Sequence, residues 1–305
     1  MTYSIVARDA ASGQLGVAVQ SHWFSVGSLV PWAAAGVGVV ATQAFVEPAY
    51  GPRGLEQMRA GTTASAALAA LLADDAGRDT RQVAMVDVAG RAAAHTGARC
   101  IVAAGHHVGD GYAVQANMMA SATVWPAMAE AFQVARGPLA DRLLAALDAA
   151  ERAGGDLRGR QSAALLVVRA GASGRPWTDR LVDLRVEDHA QPLDELRRLR
   201  TLQRAYDHMN AGDAAMERAA VDDARLEYAA ASTLAPDRAE LIFWHAVTLA
   251  AGGQASEAAP LFARVLAGAP GRRWRELLRR LPAAGLLPAE IADRIGRVHS
   301  QEAEA

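Results

Sequence analysis

The chain opens Met1-Thr2-Tyr3-Ser4-Ile5-Val6, with a small hydroxyl residue directly behind the initiator methionine. Removal of Met1 would leave a nucleophilic hydroxyl and a free α-amine on the same residue. That pairing supplies nucleophile and general base together and needs no histidine. An α-amine titrates near ~8, close enough to neutrality to accept the hydroxyl proton directly or through a water. Methionine removal requires a small second residue, and threonine is one. The plain alternative is an ordinary translated N-terminus in which Thr2 has no chemical role.

Other polar groups could complete such a site. Ser21 and His22 end a strand-like run and lie near Thr2 if the preceding hairpin is regular. His95 could orient a substrate or shuttle a proton, since imidazole titrates near neutrality; it could equally pair with a backbone carbonyl in a turn. Gly109-Asp110-Gly111-Tyr112 is a turn signal that allows close ligand approach at Asp110. It leads into Gln115 and Asn117, which share one strand face by the two-residue period. Paired carboxamides beside a cleft can donate to an oxyanion or clamp a substrate; the alternative is hydrogen bonding between strands. Arg160-Gln161-Ser162 stands between a glycine-rich turn and an apolar run, and Arg160 could take a substrate carboxylate with its fork or be a surface arginine. His106, His107 and Asp110 offer metal-ligand atoms, but adjacent histidines rarely face one centre, so no metal is expected.

Composition narrows the chemistry. All 31 basic residues of the 305 are arginine. The chain therefore has no Schiff-base lysine, no phosphate-loop lysine and no lysine to tune an N-terminal nucleophile. A net charge of −2 gives no bulk drive toward nucleic acid or anionic membrane. Cys100 is the single cysteine, which excludes an intrachain disulfide and a multi-cysteine zinc site. Arg8 and Asp9 interrupt any secretory pattern. The most apolar stretch, 26–46, is broken by Pro31, Gly36 and Gly38 and falls short of a membrane span. The expectation is a cytoplasmic protein without a cofactor. Gly36-Val37-Gly38-Val39-Val40-Ala41 matches a dinucleotide fingerprint by letters, but its glycines lie inside an apparent strand instead of opening a helix.

The elements that must position these groups read as an α+β domain over residues 1–200. Strands are expected at 4–9, 15–20, 36–42, 82–87, 112–118, 163–169 and 181–186, the first two joined around Ser12-Gly13. Helices are expected in pairs at 54–60 and 62–73, then at 126–134 and 139–153, with an N-terminal signal at Thr62 or Thr63. Residues 201–305 change character, with alanine, leucine and arginine at helical spacing and no strand pattern. Ala224, Tyr228 and Pro236 recur 34 positions on as Ala258, Phe262 and Pro270, the period of a tetratricopeptide repeat (TPR). Gly212 and Ala246 hold the motif's small position in the two units. Two units are too few to bury a solenoid core, so docking on the first domain or capping by helices at 274–281 and 288–298 is expected. An arginine cluster at 272–280 reads as a solvated helix face.

Collinear segments carry a family resemblance: MTYSIVARDAASGQLGVAV (1–19), VPWAAAGVGVVATQA (30–44), AYGPRGLE (49–56), RQVAMVD (81–87), AAHTG (93–97), GHHVGDGYAVQANMM (105–119), GGDLRGRQSAALLVV (154–168) and VDLRVEDH (182–189). Through them residues 1–200 resemble a bacterial family of uncharacterised proteins, DUF1028, assigned to the N-terminal-nucleophile (Ntn) hydrolase superfamily. The resemblance implies a four-layer αββα sandwich with the amino-terminal strand at its centre, followed here by an all-α TPR-like region. It also implies amide-bond hydrolysis by an N-terminal Thr, Ser or Cys, the position Thr2 occupies. The proteasome-like branch places a lysine near its nucleophile, which this chain lacks. Some relatives carry a C-terminal segment assigned to peptidoglycan binding, where this chain has helical repeats. The functional expectation is a hydrolase of a small acyl-amino or other non-peptide amide, with Thr2, Gln115 and Asn117 catalytic. Ser21, His22, His95, Asp110, Arg160, Gln161 and Ser162 would bind substrate. The rival is a non-catalytic scaffold whose repeats recruit a peptide or protein. A homodimer is expected in either case.

Overall fold

Alternation along the first strand sets the architecture. In β1 (Thr2–Arg8), Tyr3, Ile5 and Ala7 point one way and Thr2, Ser4 and Val6 the other, and all six are buried. A strand buried on both faces must be covered on both. The computed structural model describes residues 2–301, with side chains through residue 298.

β1 lies inside a six-stranded sheet. Its neighbours are β2 (Leu15–Ser21) and β8 (Tyr112–Asn117), and the order runs β10 (Arg180–Val186), β9 (Ser162–Val168), β2, β1, β8, β7 (Gly105–Gly109). The second sheet is β3 (Pro31–Ala34), β4 (Gly38–Ala44), β5 (Arg81–Asp87), β6 (Ala92–Thr96). Every pairing is antiparallel. The inward faces meet in one apolar core that joins Val6, Val17 and Val19 of the first sheet to Val39, Ala41 and Val86 of the second. Helices α1 (Tyr50–Arg59) and α2 (Ala64–Asp74) cover the outer face of the four-stranded sheet, with Leu55, Met58 and Leu68 against Val40 and Met85. Helices α3 (Val124–Val134) and α4 (Leu139–Arg152) pack on β8, β1 and β2 of the other. Thr63 caps α2, its hydroxyl accepting from the Ala66 N–H.

β3, β6 and β7 had no bounds expected from the sequence, although a short strand ahead of His95 was expected. β6 runs through His95 and Thr96, so both belong to that strand and do not follow it. α1 starts at Tyr50 and accommodates Pro52 in its first turn, where a missing N–H costs nothing.

The chain divides into two compact units, one running to Arg198 and the other from Leu199. Helix α5 (Pro192–Glu217) crosses that boundary. Beyond it, the described residues form α6 (Val221–Leu234), α7 (Ala239–Ala251), α8 (Ala255–Leu266), α9 (Gly268–Arg280) and α10 (Ala289–Gln301). Phe243 and Phe262 centre the core of this second unit, and Leu278 of α9, Leu281 just past its end and Ala292 of α10 close it. In the arginine cluster, Arg279 and Arg280 pair with Glu276. No helix among the described residues is long and apolar enough to cross a membrane.

Candidate functional site

Strand register brings three predicted residues to one place. Thr2 lies opposite Ser21 on one side and Asn117 on the other. Residues paired across a strand share a face, so all three side chains point between the sheets. The Thr2 and Ser21 hydroxyls are 3.0 Å apart and buried. Thr2 is 6% exposed, and that small exposure opens onto a cavity of about 470 Å3. Thr2, Ser21, Gln43 and Asn117 form the polar part of its lining.

Behind Thr2, buried carboxamides stitch the two sheets together. Gln43 of β4 donates to the Thr2 carbonyl at 3.1 Å and to Gln82 Oε1 at 2.7 Å. Asn117 Nδ2 donates to Gln82 Oε1 at 2.9 Å and to the Thr2 carbonyl at 3.4 Å. Gln115 donates to Ser4, whose hydroxyl donates to Gln43 Oε1. Gln82 passes the chain outward, donating to Thr96 Oγ1 at 2.9 Å, and Thr96 Oγ1 lies 2.8 Å from His106 Nδ1. The network fixes the backbone of residue 2 by donors from both sheets.

The remaining walls are apolar and cationic. Trp23, Leu29, Val30, Phe45, Ile101 and Met118 supply hydrocarbon, with Trp23, Phe45 and Ile101 extensively exposed. Arg81 and Arg158 are the charged lining residues among the described residues. Asp75 holds Arg81 Nε at 2.8 Å, and a second Arg81 nitrogen donates to the Phe45 carbonyl. That ion pair, reinforced by the Gly77 N–H and Tyr50 hydroxyl on Asp75, pushes the Asp75 carboxyl below its usual range. Arg158 pairs with Asp156, whose carboxylate is wholly buried and also accepts the His22 and Arg158 N–H groups.

Backbone strain collects here as well. Ala44 (φ 69°) and Met118 (φ 59°) both line the cavity in the left-handed region, and Ser25 (φ 54°) adjoins its Val26 wall. Non-glycine residues rarely adopt this conformation, and those that do cluster at functional sites. Ala44 and Met118 each follow directly on a cavity side chain, Gln43 and Asn117.

Other predicted residues are placed elsewhere. Gln115 sits one rung deeper than Asn117, opposite Ser4, with its amide given to Ser4 and the Ala41 carbonyl; it does not line the cavity. Asp110 is exposed in the turn between β7 and β8, level with Arg8, at the far end of β1 from Thr2. His95 Nε2 meets the Arg78 carbonyl at 2.9 Å, the backbone partner that was its alternative reading. His22 turns its ring to the Arg160 carbonyl. Arg160 reaches Glu151, the residue that accepts the Tyr3 hydroxyl on the helix-covered face. Gln161 uses its backbone to pair with Ser21 and His189. Ser162, opposite Ser21 in β9, donates to the Trp23 carbonyl and accepts the Val26 N–H, so it braces the cavity wall from behind. His106 and His107 alternate in β7, one toward Thr96 and the other toward the Tyr112 ring.

The sequence profile of DUF1028, a family of unknown function, matches residues 2–196. This chain belongs to DUF1028. Among solved structures, it is similar to the crystal structure of the DUF1028 protein SPO2555 from Silicibacter pomeroyi. The two are 34% identical with a TM-score of 0.59, over 65% of this chain and 84% of that one. No curated protein matches. In this DUF1028 chain the site residues missed by sequence reasoning are Gln43, Gln82, Arg81 and Arg158. Gln43 and Gln82 sit on apolar strands where a lone carboxamide stands out, and their places in register, Gln43 opposite Gln82, were the available signal. Arg158 lies two residues from Arg160, the arginine whose sequence context suggested a carboxylate site.

Proposed function

We propose that the protein is an Ntn-type amide hydrolase, its first unit a four-layer αββα sandwich and Thr2 its nucleophile once Met1 is removed. The observation that carries the reading is Thr2 itself: a buried hydroxyl, 3.0 Å from a second hydroxyl, at the floor of a cavity large enough for a small ligand. Two facing sheets with helices on their outer faces and β1 in the interior support the superfamily assignment. In the proposed reaction Thr2 Oγ1 attacks the amide carbonyl carbon, and its proton passes to the α-amine, with Ser21 Oγ as the relay within reach. The C–N bond then breaks, the proton goes to the departing amine, and water hydrolyses the resulting Thr2 ester. Asn117 is the side-chain oxyanion donor, because the longer of its two contacts, 3.4 Å to the Thr2 carbonyl, is the one a stronger acceptor replaces. Gln115, with its amide committed deeper in the core, becomes a support for Ser4 and Gln43.

The test pairs intact mass with kinetics. Active protein should lack one methionine, and Thr2→Ala should lose about 10^3-fold or more of its turnover of N-acyl amides. Retained Met1 in active protein, or undiminished turnover by Thr2→Ala, refutes the mechanism. The proposed substrate is a small-molecule amide.

For the second unit we read α5–α6 and α7–α8 as two TPR-like pairs closed by α9 and α10, with a peptide or protein as partner. Ala224, Tyr228, Ala258 and Phe262 are all buried, and Gly212 lies so close to the Tyr228 ring that an added Cβ would meet it at 2.9 Å. Peptide-display selection against the full chain should return binders sensitive to substitutions on α5–α8. If those binders appear while Thr2 stays inert to an electrophilic β-lactone, the chain is a binding protein on an inherited fold.

A further inference from the structure

The charges around the cavity are arranged asymmetrically. Among the described residues, Arg81 and Arg158 line it, and neither Asp nor Glu does. Each arginine has a carboxylate partner, but Asp75 and Asp156 both lie outside the lining. Asp156 also shares its charge with two backbone donors, at 3.1 and 2.9 Å. Arg81 engages its Nε and one terminal nitrogen on Asp75 and Phe45, and a guanidinium has further donors. Both cations are thus anchored by partners outside the lining, Arg158 through its Nε and a terminal nitrogen on Asp156, and border a space walled mostly by hydrocarbon. A carboxylate entering that space gains charge-assisted hydrogen bonds in a setting of low polarity, where they are strongest. The apolar walls at Trp23, Leu29, Val30 and Phe45 suit an aliphatic or aromatic body on the same molecule. The polar floor at Thr2 and Ser21 suits a hydrogen-bonding group between the two.

We propose that the cavity binds N-acyl amino acids, the carboxylate held by Arg158 and Arg81, the acyl chain against the apolar wall and the amide over Thr2. The assignment rests on the hydrolase reading for its amide, while its carboxylate preference stands on the cavity alone. Arg160, first picked for this role by sequence, is replaced by Arg158 because Glu151 already holds Arg160 away from the cavity.

The experiment uses full-length Thr2→Ala protein, which bars turnover, titrated calorimetrically with N-hexanoylglycine and with its neutral methylamide. The acid should bind at least about tenfold more tightly, the size of effect one charge-assisted contact gives. Arg158→Gln should erase that preference, and Arg158→Lys should keep part of it, because a point charge replaces the fork. Arg158 lies in an exposed turn but pairs with the buried Asp156, so Arg158→Lys, which keeps the charge, is the variant expected to fold, and near-UV circular dichroism checks both; Arg158→Lys alone suffices if the glutamine variant fails. Equal binding of acid and methylamide, no binding of either, or a preference untouched by both arginine variants overturns the proposal. Its failure is separable from that of the hydrolase reading. Wild type that cleaves only uncharged amides sinks the carboxylate assignment and leaves the nucleophile standing. Tight acid-selective binding without any turnover does the reverse.

Discussion

Two buried glutamines make a controlled comparison at the scale of single residues. Gln82 has every polar atom engaged: it accepts from Gln43 and Asn117 and donates to Thr96 and to the Gly105 and Ala116 carbonyls. Gln20, equally buried but on the helix-covered face beside Tyr3, has no protein partner for either amide atom among the described residues. Breaking a satisfied buried network strands its remaining donors, at roughly 1–3 kcal/mol for each group. Gln82→Leu should therefore cost about 2–4 kcal/mol by urea denaturation, whereas Gln20→Met should be neutral or stabilising by about 1 kcal/mol. Equal losses in the two variants would show that connectivity is not what matters. The outer end of the network adds a pH dependence. Partial burial, with the neighbouring His95 and His107, holds the His106 imidazole below its ordinary pKa. The unfolded chain, titrating near 6.5, then takes up the proton first as pH falls. The contribution is whole above about 6.5 and is lost as pH drops toward the folded value. A urea midpoint that declines from pH 7.5 to 5.5 in wild type, and declines less in His106→Asn, is the expected pattern. The ring's exposure keeps the effect small.

Elements explain both what the sequence disclosed and what it hid. β1, β2, β4, β5, β8 and β9 are interior strands whose apolar runs announce them, and each was legible within two residues or so. The three without expected bounds, β3, β6 and β7, are all edge strands, although the fourth edge, β10, was expected at 181–186. Edges need fewer apolar residues and tolerate proline, glycine and histidine, and Pro31-Trp32-Ala33-Ala34 and Gly105-His106-His107-Val108-Gly109 show that composition. The candidate site followed the same division. Ser21 could be set near Thr2 from hairpin register, whereas strand period put Asn117 only on one face with Gln115, and its place beside Thr2 comes from the pairing of β1 with β8. Gln43 and Gln82 come from the other sheet, and no local pattern states which residues of two sheets will face each other. Asp110 was misplaced because a turn signal fixes where a chain reverses, not which end of the sheet that reversal occupies. Close approach between elements also yields a prediction. A Cβ on Gly51 of α1 would lie 2.3 Å from the Trp32 indole of β3, whose Nε1 is tied to the Leu29 carbonyl. The ring cannot retreat without losing that bond, so α1 must lift from the sheet. Gly51→Ala should destabilise the protein by about 1–3 kcal/mol through overpacking, and Gly61→Ala, with open space around it but φ of 93°, should show only backbone strain. Thermal denaturation that ranks the two the other way would remove the packing explanation.

At the scale of the whole molecule, every residue that lines the cavity comes from the unit ending at Arg198. The second unit has a core of its own, where the Phe243 ring meets Trp244, Phe262 and Trp274 at centroid distances of 5.4, 6.1 and 5.1 Å. Phe243 is fully buried, so Phe243→Ala removes a ring from a packed site and should cost about 3–5 kcal/mol within that unit. Stability in such a chain is distributed by core, and a cavity made in one core opens that unit first. Hydrogen exchange followed by mass spectrometry should show loss of protection across α7–α10 in Phe243→Ala, with β1, β2 and β8 protected as in wild type. The affinity of the Thr2→Ala, Phe243→Ala double variant for N-hexanoylglycine should equal that of Thr2→Ala alone. A drop in that affinity with α7–α10 exchanging would mean instead that the second unit helps to shape the cavity, and the functional site would then have to be sought in both.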